Sequence, residues 1–177
     1  LKLFMFGHSL GSLIALSYEL PFPDRVDGMI VTGTALQDAL KIPPAKRALA
    51  KTISRIAPKM KFDSGVVTEH LSHDPAVGNY DTDPLVHRWG TPRLATEAEA
   101  ARIFIQANAG NWTIPLLMLH GGDDRLCVLA AAQAFQQRLP AGLSQFKTYD
   151  GFFHEIHNEP ERDVVFRDIE IWLNERI

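Results

Sequence analysis

The sequence predicts an α/β protein, a mostly parallel sheet flanked by helices with a helical segment inserted in it. Three observations carry that expectation. Short apolar runs of strand type alternate with helical stretches, the pattern of parallel strands joined by crossovers. A G-x-S-x-G motif, Gly7-His8-Ser9-Leu10-Gly11, stands between the first such run and the first helical stretch. Residues 38–110 then lose the strand pattern before it resumes at Ile114.

Taken in order, Leu1 to Phe6 is an apolar run and Ser12 to Leu20 is rich in Leu, Ala and Ile at helical spacing. Strand, G-x-S-x-G, helix is the arrangement of a nucleophile elbow, in which a sharp turn crowds the backbone and exposes the serine hydroxyl. Both glycines are expected to be required by that crowding. Val26 to Gly33 reads as a second buried strand, followed by the loop Thr34-Ala35-Leu36. The inserted segment holds Pro43-Pro44, a cationic amphipathic stretch from Lys46 to Lys61, a loop-rich section from Ser72 to Pro92, and a short helix from Thr96 to Asn108. Ile114 to His120 is the third strand, ending in a turn at Gly121-Gly122. Leu126 to Leu139 is a helix stopped by Pro140 and Gly142. Phe146 to Tyr149 is the last strand, and Glu161 to Arg176 is an amphipathic closing helix with Pro160 at its start. The chain therefore divides into core (1–37), insertion (38–110) and core (111–177).

Composition bounds the function. The chain has 177 residues, 46% hydrophobic and 22% charged, with a net charge of −3, as in an ordinary globular domain. There is no basic stripe for nucleic acid, and no apolar run near the ~20 residues of a membrane span. The single Cys127 excludes an internal disulfide and a cysteine-based zinc cluster, which fits a reducing, cytoplasmic setting. His70, His73 and His87 lie in loops without metal-ligand spacing, so neither a metal nor another cofactor is expected. The chain starts at Leu rather than Met, which suggests truncation or processing.

A serine nucleophile needs a base for its hydroxyl proton and an acid to orient that base. In an open parallel sheet these groups belong on loops at the carboxyl ends of strands. The third strand runs into Asp123-Asp124 and the fourth into the loop ending at His154, so Ser9, an Asp and a His follow in chain order. Asp123 and Asp124 both qualify as acid. Strand-to-loop geometry favours His154 over His157 as base, and His8 is expected to shape the elbow. The Leu10 amide, directly after the nucleophile, is the expected oxyanion donor.

Four stretches resemble the monoacylglycerol lipase and lysophospholipase branch of the α/β-hydrolases. They are Gly-His-Ser-Leu-Gly at 7–11, Asp-Pro-Leu-Val at 83–86, Asp124-Arg125-Leu126-Cys127, and the run from Tyr149 to Glu159. The resemblance implies an α/β-hydrolase fold with nucleophile Ser9, base His154 and acid Asp124, which stands directly before Arg-Leu-Cys. It implies that residues 38–110 form a cap over an acyl-binding channel, without singling out substrate-binding residues there. The substrate it implies is a small ester or lipid, attacked by Ser9 with His154 as proton acceptor. In that branch the elbow lies mid-domain, so further strands and the second oxyanion donor are expected upstream of Leu1, or on a completing chain.

One departure is Ser12, where relatives carry a second glycine after Gly11. Cys127 is expected either near the active site or as a small apolar filler. Asp83-Pro84-Leu85 reads as a turn with a local side-chain cap. Leu40, Ile42, Leu49, Ile53, Ile56 and Met60 make an apolar face that suits either core packing or a lipid channel. Lys41, Lys46, Arg47, Lys51, Arg55, Lys59 and Lys61 make a basic face that suits either solvent or transient contact with an anionic membrane. Two alternatives accompany the esterase reading. A prolyl-aminopeptidase type of enzyme would need an anchor for a free amino group, for which Glu97 and Glu99 are the close acidic pair; an incomplete fragment would be non-catalytic. A serine nucleophile disfavours the hydrolases of this fold that use aspartate.

Overall fold

The computed structural model describes residues 1–39, 43–77, 80 and 82–177. Its main sheet has four parallel strands in the order β1 (Phe4–His8), β2 (Gly28–Thr32), β5 (Leu116–Gly121), β6 (Ser144–Tyr149). Register pairs Gly7 with Val31, Val31 with Met118, and Gly121 with Tyr149. The carboxyl ends of all four strands therefore lie along one edge, and the loops leaving them open onto the same side.

The two central strands are buried on both faces, as parallel strands with helices on either side must be. Met29 and Val31 of β2, with Leu116 and Met118 of β5, face a core shared by α1 (Leu10–Glu19), α3 (Pro92–Ala107) and α4 (Leu129–Gln136), through Leu13, Leu16, Ile105 and Phe135. The alternate residues Ile30, Leu117 and Leu119 face α5 (Asp163–Asn174), through Val165 and Trp172. Each fully buried aliphatic side chain in these layers contributes roughly 1.5–3 kcal/mol relative to exposure.

Several element boundaries differ from expectation, each for a local reason. The helix expected from Thr96 starts at Pro92, because the Thr91 hydroxyl accepts the Leu94 amide at 3.1 Å and proline suits the first turn. Its inner face, Ala98, Ala101 and Ile105, packs into the main core. The helix expected from Leu126 starts at Leu129, since the Leu126 and Cys127 amides are engaged by the Asp124 carboxylate. Two short strands, β3 (Phe62–Asp63) and β4 (Trp89–Gly90), pair antiparallel within the segment where no strand was expected. Two residues are too few to carry a strand period.

The cationic helix α2 (Pro44–Ile56) packs on α3 with a Ser54–Thr96 hydroxyl contact of 2.9 Å and an Arg47–Glu99 ion pair of 3.5 Å. Of the expected apolar face, Leu49, Ile56 and, beyond the helix, Met60 are exposed and Ile53 is half-buried, while Leu40 and Ile42, with Lys41 of the basic face, lie outside the described residues. Lys46, Arg47, Lys51, Arg55, Lys59 and Lys61 are exposed. The Asp83 turn is as expected, its carboxylate accepting the Leu85 amide at 2.8 Å. Among the described residues, no helix is long and apolar enough to cross a membrane.

Candidate active site

Ser9 joins β1 to α1 in the left-handed region, at φ 51° and ψ −119°, a strained conformation for a residue with a Cβ. The strain is imposed from both sides. The Ser9 amide donates to the Thr32 carbonyl at 2.9 Å, and the Ser9 carbonyl accepts from both the amide and the hydroxyl of Ser12. Crowding is confined to Gly7, where a Cβ would stand 2.7 Å from the Gly11 carbonyl oxygen; at Gly11 a Cβ would meet nothing within 4 Å. The departure at Ser12 has a structural role. Its hydroxyl is buried, donates to Ser9 and accepts the Ala35 amide at 3.2 Å, so it ties the elbow to the loop after β2.

His154 stands on the loop after β6, is 3% exposed, and donates from Nδ1 to Asp124 Oδ2 at 2.8 Å. Asp124 stands on the loop after β5 with its side chain fully enclosed, whereas Asp123 is exposed. Asp124 Oδ1 accepts the Leu126 and Cys127 amides at 2.8 and 2.9 Å, and Oδ2 lies 3.1 Å from Nε2 of His120. Burial works to raise the Asp124 carboxyl. Donors on His120, His154 and Cys127, with the charge of His154, outweigh it and hold the group well below the usual carboxylate range. Ser9 and His154 line one cleft of about 740 Å³, walled by Val66, Val67, Leu71, Val86 and Trp89 alongside polar Ser64, Thr68, Glu69, Tyr80 and Arg88.

His8 sits beside this group. Its Nδ1 is 2.9 Å from the Thr32 hydroxyl, and its ring packs between those of His154 and His157 at 4.8 and 4.7 Å. Burial, and then the neighbouring charges of His154 and His157, push its pKa down to about 3. Burial also lowers His157. Cys127 is buried behind Asp124, and burial, followed by the Asp124 and Asp38 charges, pushes its thiol well above the usual range. Asp124, Cys127 and His154 bring donor atoms within 4.8 Å of one another, a cluster that sequence spacing does not reveal. The Asp124 and His154 atoms of that cluster are hydrogen-bonded to each other.

Several residues around the site are given no role by sequence reasoning. The Glu159 carboxylate, 1% exposed, accepts the Phe153 amide at 2.6 Å, the His73 amide at 2.9 Å and the Ser72 hydroxyl at 3.3 Å. It anchors the backbone immediately before His154 to Ser72 and His73. The ring of Phe153 is stacked on His73 at 3.7 Å and covered by the Arg125 guanidinium at 4.4 Å. His120 is fully buried against Asp124. Gly33 has φ +52°, and a Cβ there would stand 2.9 Å from the His154 ring. By contrast, Glu97 and Glu99 pair with Arg93, and with Arg47 and Arg102, and do not line the cleft.

The chain is similar in sequence and fold to known proteins. The family described as Serine aminopeptidase, S33 matches residues 1–161. The monoacylglycerol lipase of Mycolicibacterium smegmatis is 31% identical over 94% of this chain and 60% of its own length. The human monoglyceride lipase is 27% identical over 99% of this chain and 59% of its length. The chain thus spans about 60% of these two relatives. The crystal structure of Paleococcus ferrophilus monoacylglycerol lipase superposes with a TM-score of 0.93 at 30% identity, over 99% of this chain and 69% of that one. A soluble variant of the Saccharomyces cerevisiae monoglyceride lipase, at 22% identity and a TM-score of 0.86, shares the fold. The chain belongs to the serine aminopeptidase family of α/β-hydrolases and, within that fold, is similar to the monoacylglycerol lipases.

Proposed function

We propose that this is a serine hydrolase for carboxylic esters of the monoacylglycerol or lysophospholipid type, acting through Ser9, His154 and Asp124. The observation that carries the reading is the 2.8 Å bond from His154 Nδ1 to the buried Asp124, with His154 and the strained Ser9 facing one cleft. A proton held on Nδ1 leaves Nε2 as the ring's basic atom. His154 then takes the Ser9 hydroxyl proton as Oγ bonds to the ester carbonyl carbon. The Leu10 amide, at the start of α1, donates to the oxyanion, where the helix dipole favours negative charge. Collapse of the intermediate breaks the ester bond, and His154 returns the proton to the departing alcohol. Water, deprotonated by the same histidine, then attacks the acyl carbon, and His154 returns that proton to Ser9 Oγ as the acid leaves.

Residues 38–110 serve as the cap, from which Ser64, Val66, Leu71, Tyr80 and Trp89 wall the cleft. Its mixed lining suits an acyl chain beside a hydroxylated head group. Exposed Leu49 and Ile56 among the lysines of α2 suit transient contact with an anionic lipid surface. A second reading, an aminopeptidase, draws on Glu69 and Glu155, carboxylates in the cleft wall that could anchor an amino group.

The test is intact mass before and after a fluorophosphonate probe, followed by turnover of a monoacylglycerol and of an aminoacyl amide. We expect one adduct, absent in Ser9→Ala, and ester turnover alone. No adduct, or one that persists without Ser9, overturns the serine mechanism. Amide turnover without ester turnover overturns the substrate assignment.

A further inference from the structure

The acid of this site carries two histidines. Oδ2 of Asp124 is 2.8 Å from His154 Nδ1 and 3.1 Å from His120 Nε2. His120 is the last residue but one of β5, four positions before the acid, and is 0% exposed. Its Nε2 also lies 3.4 Å from the Cys127 carbonyl oxygen. Both neighbours of Nε2 are therefore acceptors, and the hydrogen must sit on that nitrogen. The opposite nitrogen, Nδ1, is buried with no partner among the described residues.

We infer that His120 is a positioning residue for the proposed catalytic group, a fixed Nε2–H donor that holds the Asp124 carboxylate ionised and turned toward His154. The inference rests on the reading of Ser9, Asp124 and His154 given above. With the Leu126 and Cys127 amides on Oδ1 and two imidazoles on Oδ2, the carboxylate has four donors and cannot rotate without breaking two of them. That fixes the acceptor that keeps the His154 proton on Nδ1. His120 also shares the negative charge that would otherwise fall on His154 alone. Without it, the whole of that charge acts on the imidazolium that forms at His154 in the reaction.

The experiment is the pH dependence of fluorophosphonate labelling in the full chain, for wild type, His120→Leu, His120→Gln and His120→Asn. The glutamine amide reaches the position of Nε2, and the asparagine amide does not. Loss of one hydrogen bond to a charged group should move the inflection upward by about one pH unit in the leucine variant. Asparagine should behave like leucine, and glutamine like wild type. The other titratable groups around the pair, His8 and His157 beside the His154 ring and Cys127 behind Asp124, are the same in every variant. An inflection that stays in place or moves down in His120→Leu and His120→Asn overturns the inference.

Should those variants not fold, ¹⁵N spectra of histidine-labelled wild type decide it. Hydrogen on Nε2 and a bare Nδ1 at His120 support the donor role, and the opposite tautomer overturns it. A wild-type chain that takes no probe refutes the serine mechanism instead. The tautomer, and the low-field Nδ1 proton of His154 in folded His120 variants, still judge His120 independently.

Discussion

Replacing Gly33 with alanine tests whether the loop after β2 is shaped around the base. Two effects add. At φ +52° any side chain meets the left-handed penalty, about 1 kcal/mol. The new Cβ would also stand 2.9 and 3.0 Å from Cε1 and Nδ1 of His154, and 3.1 Å from its carbonyl oxygen, where ordinary contacts begin near 3.4 Å. The ring has little freedom to retreat: Nδ1 is held by Asp124, and His8 packs against the ring at 4.8 Å. Relief requires a shift of several tenths of an ångström, and overpacking of this kind costs about 1–3 kcal/mol. The sum is roughly 2–4 kcal/mol of stability. Because a 1 Å misplacement of a catalytic group can lower a rate about a hundredfold, the smaller displacement here should slow labelling about tenfold. Urea unfolding and the fluorophosphonate labelling rate measure the two effects separately. Gly33→Ala with an unchanged midpoint and an unchanged labelling rate would refute the reasoning.

Two further outcomes follow from buried groups. His8 has a folded-state pKa of about 3 against an ordinary 6.5, so between those values the unfolded chain binds a proton that the folded chain refuses. Stability is therefore full above pH 6.5 and falls on acidification, by about 1.4 kcal/mol per pH unit for one such group. Asp124, lowered below its ordinary value, adds to the loss at still lower pH. Urea midpoints measured from neutral pH downward should show this slope, and His8→Asn, which keeps an amide near Thr32, should flatten it; an equally steep variant would remove His8 as the cause. At Cys127, enclosure and a raised thiol predict alkylation by iodoacetamide at least ~10²-fold slower in the native protein than in denaturant. Equal rates would place the thiol at the surface.

Much of the fold was legible because it is written locally. Alternating apolar runs mark the strands, and the elbow needs only five consecutive residues. The choice between adjacent Asp123 and Asp124 is different in kind: it depended on a family pattern, and in the structure it corresponds to one exposed and one enclosed carboxylate. What escaped notice acts over distance. Glu159 meets Ser72 and His73, 86 or 87 residues earlier in the chain, and nothing in the sequence around it announces those partners. His120 read as the polar end of a strand, since only the folded turn returns Asp124 to its ring. The apolar face of α2 shows the converse limit. Helical spacing of Leu49, Ile53 and Ile56 identifies a face without saying what, if anything, it meets, and Leu49 and Ile56 lie open.

The tie between the loop that carries His154 and the proposed cap bears on how this molecule could be remodelled. The Glu155 amide donates to the Leu71 carbonyl at 2.7 Å, and the Ser72 hydroxyl to the Asn158 carbonyl at 2.8 Å. Tyr80 donates to the Glu155 carboxylate at 2.7 Å, while Glu159 receives Ser72 and His73. A cap transplanted from a relative would therefore arrive without the counterpart of the loop that carries His154. Chimeras joined only at the ends of the insertion would orphan buried donors on both sides of the junction. Exchanges that carry residues 71–80 together with 152–159 would move them as one module, so a new substrate preference and a working base would have to be inherited together.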